Sequence, residues 1–238
     1  MNSQTMKVGL LGFGEVGSGA VKTLLSNRDI INSRAGVDIQ LVAIADLDLE
    51  SGRGVDLSGF PDLQTTHNAE DVIRNDEIDV IIETIGGTTV ARQLVLKALA
   101  SGKDVVTANK ALLSEYAEEI FSSAAKHNRR IAFEGAVAGG IPIIETLDGA
   151  LASVQVNQVW GILNGTSNYI LTKMEQEGGD FQEILKEAQD LGYAESDPAL
   201  DIEGYDTAHK IALLSSMCFG QHIDYSQISV EGITRIQK

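Results

Sequence analysis

Short apolar runs alternate with helix-type patterns over roughly the first half of the chain. Apolar runs bounded by glycine or polar residues predict buried strands. Between these runs, apolar residues recur at three- and four-residue spacing, which predicts amphipathic helices. Strands that alternate with helices predict an α/β fold of the Rossmann type, with a doubly wound parallel sheet, over residues 1–134. The predicted strands are Lys7–Leu11, Ile39–Ala45, Val80–Glu83, Asp104–Thr107 and Arg130–Phe133.

The helices of this first domain are predicted from the same periodicity. Glycine after an apolar stretch, as at Gly102, marks a helix end. A polar segment at Asn27–Asp38 predicts a loop. The predicted helices are Ser18–Leu25, Glu70–Arg74, Val90–Ala100 and Leu113–His127.

The pattern changes near residue 135, where the regular alternation of strands and helices ends. Val154–Gly161 alternates apolar and polar residues, which predicts a half-exposed antiparallel strand. We therefore predict a second, α+β domain over residues 135–238 for substrate binding and dimerisation, with the strand shared between two subunits. Its other predicted elements are helices at Ile143–Leu151, Thr166–Met174, Phe181–Leu191 and Lys210–Phe219 and a short strand at Ile228–Ile233.

Composition narrows the class of protein. The 238 residues are 43% hydrophobic and 22% charged, an ordinary globular profile, and the formal net charge is −16. Such acidity argues against nucleic acid and anionic membrane surfaces as partners, because both require clustered Lys and Arg. The single Cys218 excludes a disulfide framework. With no apparent signal peptide or membrane span, we expect a cytoplasmic protein.

A glycine motif follows the first predicted strand directly. The segment Gly12–Gly17 reads GFGEVG and precedes a predicted helix, the context in which GxGxxG predicts dinucleotide binding. The first glycine permits a tight turn, the second lets the backbone approach the pyrophosphate, and the third lets helix and strand pack closely. The helix N-terminus then favours the phosphates. The residues predicted to contact the cofactor here are Gly12, Phe13, Gly14, Val16 and Gly17.

Further candidate cofactor residues lie where predicted strands end, the edge at which open α/β sheets bind ligands. Asp46 ends the second strand and is placed to bond the ribose hydroxyls of NAD, although an ordinary turn residue is the alternative. Arg53 leaves NADP open, since an arginine there suits a 2′-phosphate. We expect Ile85 and Gly86 to contact the cofactor, and Lys110 to be a functional cation rather than an isolated surface lysine.

An acidic stretch, Gly192–Lys210, precedes the last long helix. Asp206 and Lys210 are four residues apart, so on a helix they share one face. A solvated ion pair is one interpretation. The other is that the stretch binds a small cationic or zwitterionic substrate and supplies the proton that accompanies a hydride, because the pair opens an apolar helix after a turn rich in acids.

With these motifs, the chain resembles the homoserine dehydrogenase family over nearly its whole length. That family uses NAD or NADP to interconvert L-homoserine and L-aspartate 4-semialdehyde in threonine, methionine and isoleucine synthesis. Five segments carry the resemblance, and the last three of them lie in the second half of the chain. The matching segments are GFGEVG at Gly12–Gly17, TANKALL at Thr107–Leu113, FEGAVAGGIPII at Phe133–Ile144, GILNGTSNYIL at Gly161–Leu171 and GYAESDPALDIEGYDTAHKIALL at Gly192–Leu214.

The resemblance implies a role for individual residues. Lys210 corresponds to the proton donor and Asp206 to the carboxylate that orients it. Glu195 corresponds to the carboxylate that binds the substrate ammonium, with Asp201 nearby, and Lys110 to the lysine beside nicotinamide and substrate. The resemblance also implies a monovalent cation site, usually Na⁺, whereas the residues alone also allow a glycine-rich turn without an ion. The cation ligands would be the Glu134 carboxylate and the carbonyls of Val137, Gly139 and Ile141.

Two alternatives to this function follow from the sequence. A phosphorylating semialdehyde dehydrogenase would need a cysteine nucleophile, but Cys218 lies in the apolar run Ile211–Phe219 and is expected to be structural. A non-catalytic NAD(P)-binding sensing or interaction module is the other alternative. It is favoured by the expectation that family chains continue past Ile233, so that this chain is shortened at its C-terminus.

Overall fold

The computed structural model describes residues 4–51 and 53–237. The chain divides into two compact units, residues 1–139 and 140–238, a few residues after the predicted boundary. Each unit has a hydrophobic cluster of its own.

The first unit contains a six-stranded parallel sheet with the order β3-β2-β1-β4-β5-β6. Leu11 at the end of β1 pairs with Ala45 of β2 and with Glu83 of β4, and Glu83 pairs with Thr107 of β5. The carboxyl ends of four strands are therefore level, and the loops that follow them share one edge. The strands are β1 Thr5–Leu11, β2 Asp38–Ala45, β3 Gln64–Thr66, β4 Val80–Glu83, β5 Asp104–Thr107 and β6 Ile131–Ala132.

Helices connect these strands, except that β3 follows β2 without a helix between them. Because the central strands are covered by helices, Leu10, Leu11, Ile44 and Ile81 are fully buried. The predicted α/β class of this unit is confirmed, including five of the six strands. Its helices are α1 Glu15–Ser26, α2 Arg28–Ala35, α3 Ala69–Arg74, α4 Val90–Ala100, α5 Lys110–Glu115 and α6 Ala117–Lys126.

Local predictions in the first unit fail where the hydrophobic pattern is weak. The predicted loop at Asn27–Asp38 contains α2, a helix without a buried residue and therefore without an apolar stripe. The single helix predicted over Leu113–His127 is two helices, because Tyr116 leaves the helical conformation with φ −124° and ψ 25°. β3 was not predicted, since its three residues are not buried and carry no apolar alternation.

The second unit is helical over its described residues, 140–237. Its core lies between α8 and α9 and contains Ile170, Met174, Phe181 and Ile184. No helix in the described part of the chain is long and apolar enough to cross a membrane. The helices are α7 Ile143–Glu145, which continues as a π-helix over Thr146–Ala150, α8 Gly165–Gln176, α9 Phe181–Asp190, α10 Ala199–Ile202, α11 Tyr205–Phe219 and a 3₁₀ helix at Tyr225–Gln227.

The strands predicted for the second unit are wrong for this single chain. Val154–Gly161 and Ile228–Ile233 form no strand. A strand needs a neighbouring strand for its N–H and C=O groups, and among residues 140–237 no segment forms a strand ladder with either one. The α+β description of this unit is therefore replaced by an all-helical one.

Candidate active site

The loop between β1 and α1 has the conformation that its glycines predict. Gly12 has a φ of +96°, in the left-handed region, and a Cβ there would lie 2.7 Å from the backbone nitrogen of Ile85. A Cβ on Gly17 would overlap the carbonyl oxygen of Gly12. Side chains are therefore excluded at both positions, and α1 packs directly against the loop.

Gly14 has the opposite surroundings. It is the N-cap of the 12-residue α1, and a Cβ built on it would have no protein atom within 4 Å apart from those of Gly14 and its two chain neighbours. The missing side chain leaves open space beside the free N–H groups of the first helical turn. This arrangement fits the pyrophosphate of a dinucleotide.

A cavity of about 520 Å³ adjoins this loop. On its wall, Lys97 donates to Glu70, and this hydrogen bond, assisted by Arg74, lowers the pKa of the Glu70 carboxyl. The cavity extends from the glycine loop to α4, and its lining presents both apolar and polar groups to a ligand. Its lining is Gly12, Gly14, Ala45, Asp46, Leu47, His67, Asn68, Ala69, Glu70, Thr84, Ile85, Val90, Gln93, Leu94 and Lys97.

Asp46 lies at the end of β2 and lines the cavity. One carboxylate oxygen accepts from the backbone N–H of Phe13, and the other accepts from the N–H of Asp48 at 2.7 Å. Asp46 is therefore a turn residue, as the alternative interpretation predicted, and each of its carboxylate oxygens keeps a further lone pair for a ligand. Arg53 donates to the Phe13 carbonyl, with its guanidinium 4.0 Å from Asp46.

The turn after β4 contains the predicted cofactor residues Ile85 and Gly86. Ile85 lines the cavity and is 40% exposed, and Gly86 has a φ of +80°. Both backbone N–H groups donate to the Glu83 carboxylate, at 2.8 and 3.1 Å. Sequence reasoning missed Glu83 as a site residue; its signal was a carboxylate that ends an otherwise apolar strand.

Lys110 is the first residue of α5, at the carboxyl end of β5. Asn109 fixes this start, because its side chain accepts from the N–H of Leu112 at 3.1 Å and donates to the Gly87 carbonyl at 2.7 Å. Lys110 therefore begins its helix at the same edge of the sheet as the glycine loop.

The residues of the predicted cation site lie on both sides of the division between the units. Glu134 begins a short 3₁₀ helix, Val137 is fully buried, and Gly139 has a φ of +57°. Ile141 belongs to the second unit, and its side chain is 66% exposed. The described residues contain no group of three or more His, Cys, Asp or Glu that could hold a metal ion.

In the second unit, Asp206 and Lys210 form the predicted pair on α11. The Lys210 Nζ lies 2.7 Å from Asp206 Oδ2 and donates to the Leu163 carbonyl at 2.8 Å. The two side chains are only 18% and 8% exposed. The solvated interpretation is therefore wrong, and the lysine is held by two acceptors in a partly buried setting.

Asn164 joins this pair to Asp201. Its amide nitrogen donates to Asp201 Oδ1 at 2.7 Å and to Asp206 Oδ2 at 2.9 Å, and its oxygen caps α8 by accepting from the Ser167 N–H. A neutral donor between two carboxylates reduces their repulsion and fixes both. Sequence reasoning missed this buried residue, although Asn before Gly-Thr-Ser is an N-cap signal.

Glu195, the predicted ammonium ligand, is not part of this cluster. It is exposed between α9 and α10, and its backbone carbonyl accepts from the Gln189 side chain at 3.0 Å. No hydrogen bond or ion pair in the described part of the second unit joins its carboxylate to Asn164 or Asp206. The structure thus brings together Asp201, Asp206 and Lys210 but leaves Glu195 free of them.

The strand order β3-β2-β1-β4-β5-β6, the glycine loop and the open N-terminus of α1 define the first unit as a Rossmann-type dinucleotide-binding domain. A family model described as the NAD binding domain of homoserine dehydrogenase matches residues 12–134, and one described as homoserine dehydrogenase matches residues 142–238. The chain belongs to the homoserine dehydrogenase family.

Relatives agree with this assignment. The homoserine dehydrogenase of Neisseria gonorrhoeae is 44% identical over 231 residues, which cover 97% of this chain and 52% of the relative. A homoserine dehydrogenase structure from Thiobacillus denitrificans is 45% identical with a TM-score of 0.92, over 99% of this chain and 54% of that one. A hyperthermophilic archaeal homoserine dehydrogenase in complex with NADPH is 25% identical with a TM-score of 0.82, over 98% and 75%. The chain spans about half the length of the curated relatives it matches.

Proposed function

We propose that the chain catalyses the NAD(P)-dependent interconversion of L-homoserine and L-aspartate 4-semialdehyde, a step toward threonine, methionine and isoleucine. The observation that carries the proposal is the partly buried Asp206–Lys210 pair, held by Leu163 and Asn164 within the part of the chain that the homoserine dehydrogenase family model matches. A fixed, partly desolvated lysine is suited to proton transfer.

The dinucleotide would be held by the loops of the first unit. Gly14 and the first turn of α1 suit the pyrophosphate, Asp46 suits the ribose hydroxyls, and Ile85 with Gly86, in the turn after β4, is proposed to contact the nicotinamide. NADP stays open beside NAD because Arg53 lies near Asp46, and the archaeal relative was solved with NADPH. When bound, the nicotinamide supplies or takes up the hydride.

Lys210 would transfer the proton that accompanies the hydride. Two of its three ammonium N–H groups are donated to Asp206 and Leu163, so the third can be donated to the substrate oxygen. In reduction, the aldehyde carbon gains the hydride and the oxygen gains the Lys210 proton. In oxidation both transfers run in reverse and the overall reaction releases a proton, so oxidation should be favoured at higher pH.

The remaining predicted residues would bind the substrate. Asp201, already fixed by Asn164, and the exposed Glu195 offer carboxylates to the substrate ammonium. Lys110, at the start of α5, is proposed to lie beside nicotinamide and substrate. A Na⁺ site formed by the Glu134 carboxylate with carbonyls of its glycine-rich turn follows the preference of hard cations for oxygen. Na⁺ titration of NADH affinity, with Li⁺ and choline as comparison cations, would test that site.

We further propose a cytoplasmic homodimer. Val154, Trp160 and Ile162 are 53%, 83% and 74% exposed, and their segment has no strand partner within the described second unit. A second copy could supply that partner and cover the apolar side chains. Light scattering after size-exclusion chromatography should give a dimer, and Trp160→Lys should shift the mass toward the monomer. A monomeric wild-type chain would contradict this proposal.

The proposed activity is tested by the absorbance of the reduced nicotinamide. The chain is mixed with L-homoserine and NAD or NADP over a range of pH, and the same mixtures without homoserine are the control. We expect homoserine-dependent reduction of the cofactor that increases toward alkaline pH. Cofactor binding without turnover at any pH would instead support a non-catalytic NAD(P)-binding module.

A further inference from the structure

We propose that Glu83 is the positioning residue that sets the geometry of the cofactor-binding edge. The inference rests on the proposed function, because it concerns the loops that would hold NAD(P). Glu83 ends β4 and is 0% exposed, which is unusual for a glutamate. Such burial is tolerated only where hydrogen bonds replace water.

Three neutral donors surround the Glu83 carboxylate. One oxygen accepts from the backbone N–H groups of Ile85 and Gly86, and the other accepts from the Thr107 hydroxyl at 2.6 Å. No Lys or Arg in the described chain forms an ion pair with it. All three donors are neutral, and a carboxylate is the side chain whose two oxygens can accept from all of them.

The first of these connections controls the turn after β4. With both N–H groups bound to Glu83, the segment Thr84–Gly87 is tied to the end of its own strand. The Thr84 hydroxyl then donates to the Gly12 carbonyl at 2.7 Å, so this turn also supports the glycine loop. Glu83 thus acts on two loops that line the cavity.

The second connection leads through Thr107 to α5. The Thr107 hydroxyl accepts from the Asn109 N–H at 3.0 Å, and Asn109 donates to the Gly87 carbonyl and caps α5. The start of α5, which carries Lys110, is therefore tied to the same carboxylate. One buried side chain therefore links the loops after β1, β4 and β5.

Lys103 provides a matched comparison at the opposite edge of the sheet. It is also buried, 3% exposed, and its Nζ donates to the carbonyls of Asn75 at 2.6 Å and Ile78 at 2.7 Å, before β4 begins. Neither Lys103 nor the loop that contains Asn75 and Ile78 lines the cavity. Loss of Lys103 should reduce stability without altering cofactor affinity, whereas a positioning role for Glu83 requires that its loss alters affinity.

Glu83→Gln tests the inference because it changes one connection. The amide oxygen can keep both backbone N–H groups, but the NH₂ group can only donate, so the Thr107 hydroxyl loses the acceptor for its proton. We expect NADH and NADPH to bind about tenfold more weakly, as measured by titration of the nicotinamide fluorescence. Thr107→Val removes the same link together with the acceptor for the Asn109 N–H and should weaken binding at least as much. Thr107→Ser should retain wild-type affinity, and the double variant should be no weaker than Thr107→Val.

The controls separate positioning from stability. Lys103→Met should lower the midpoint of thermal unfolding but leave the dissociation constants of both cofactors unchanged. Wild-type affinity in Glu83→Gln and Thr107→Val, or an equal loss of affinity in Lys103→Met, would overturn the inference while the proposed function stands. A wild-type chain that binds neither NADH nor NADPH would overturn both.

Discussion

The two units build their candidate sites in different ways. In the first unit the site is largely backbone: glycine loop, strand-end turn and helix N-terminus lie at one level because the strands end together. In the second unit, side chains from separate segments meet, with Asn164 before α8, Asp201 on α10 and Asp206 with Lys210 on α11. We call the first the backbone site and the second the side-chain site. A substitution that adds volume should weaken ligand binding at the backbone site, whereas one that removes a polar group should impair the side-chain site.

The largest effect is expected from Lys210→Met, which removes the proposed proton donor from the side-chain site. Positioned proton transfer contributes about 10²–10⁴-fold, so turnover should fall by about that factor. NADH affinity should stay unchanged, because the backbone site is untouched. Steady-state rates and fluorescence titration measure the two quantities.

Lys173→Met is the matched control for that experiment. Lys173 is 21% exposed, close to the 18% of Lys210, and is likewise paired with a carboxylate, Glu187. Its loss should leave turnover within about twofold, since it stabilises α8 and α9 rather than the cluster. Undiminished turnover in Lys210→Met would remove Lys210 from the reaction.

The next effect concerns added volume in the backbone site. Gly14→Ala should fold normally, because beyond its two chain neighbours no residue lies within 4 Å of the new Cβ, yet that methyl enters the space assigned to the pyrophosphate. Overpacking typically costs about 1–3 kcal/mol, so NADH and NADPH should bind about tenfold or more weakly. Gly19→Ala is the control: it also meets open space, but it lies on the exposed face of α1. Equal affinities in the two variants would contradict the assignment of the glycine loop.

A smaller effect is expected from Asn164→Ala, which removes the donor between two carboxylates. Asp201 and Asp206 would lose a shared hydrogen-bond partner, at a cost of about 1–3 kcal/mol in the free energy of unfolding. The KM for homoserine should rise while NADH affinity stays constant. The exposed Asn168 on the same helix supplies the control variant Asn168→Ala, for which denaturant unfolding should change by at most about 0.5 kcal/mol. Equal stabilities of the two variants would show that the bridge is dispensable.

The same contrast explains what the sequence could predict. Strand, glycine loop and helix are consecutive, so the backbone site follows from local pattern and from the rule that ligands bind at strand ends. Asp206 and Lys210 share a helix face, so their pairing was also predictable from spacing. Asn164 lies 42 residues before Asp206, and no periodicity in one sequence relates the two.

Burial limits prediction in another way. Glu83 ends an apolar strand, and a sequence cannot show that Thr107 of the next strand, in register with it, supplies a donor. The prediction of a strand at Val154–Gly161 was wrong for a related reason. Alternation of apolar and polar residues indicates a segment with two different faces, but it does not show whether a neighbouring strand is present. The sequence did not predict α2, because a helix without a buried face has no hydrophobic periodicity.

The smallest effect concerns the framework of the side-chain site. A hydrogen bond from Lys173, assisted by one from Tyr169, lowers the pKa of the Glu187 carboxyl from its ordinary 4.5 and links α8 to α9. Because the folded state then binds this proton less readily than the unfolded state, the stabilisation is present above about pH 4.5 and is lost as pH falls through the lowered pKa.

Glu187→Gln isolates that contribution. Wild type should exceed the variant in free energy of unfolding at neutral pH, and the difference should shrink on acidification, as measured by urea unfolding at a series of pH values. Glu183→Gln, an exposed position on α9, should show a smaller difference with little pH dependence. A difference for Glu187 that persists unchanged in acid would mean that packing, rather than charge, joins the two helices. The packing of α8 against α9, which supports the side-chain site, would then not depend on charge.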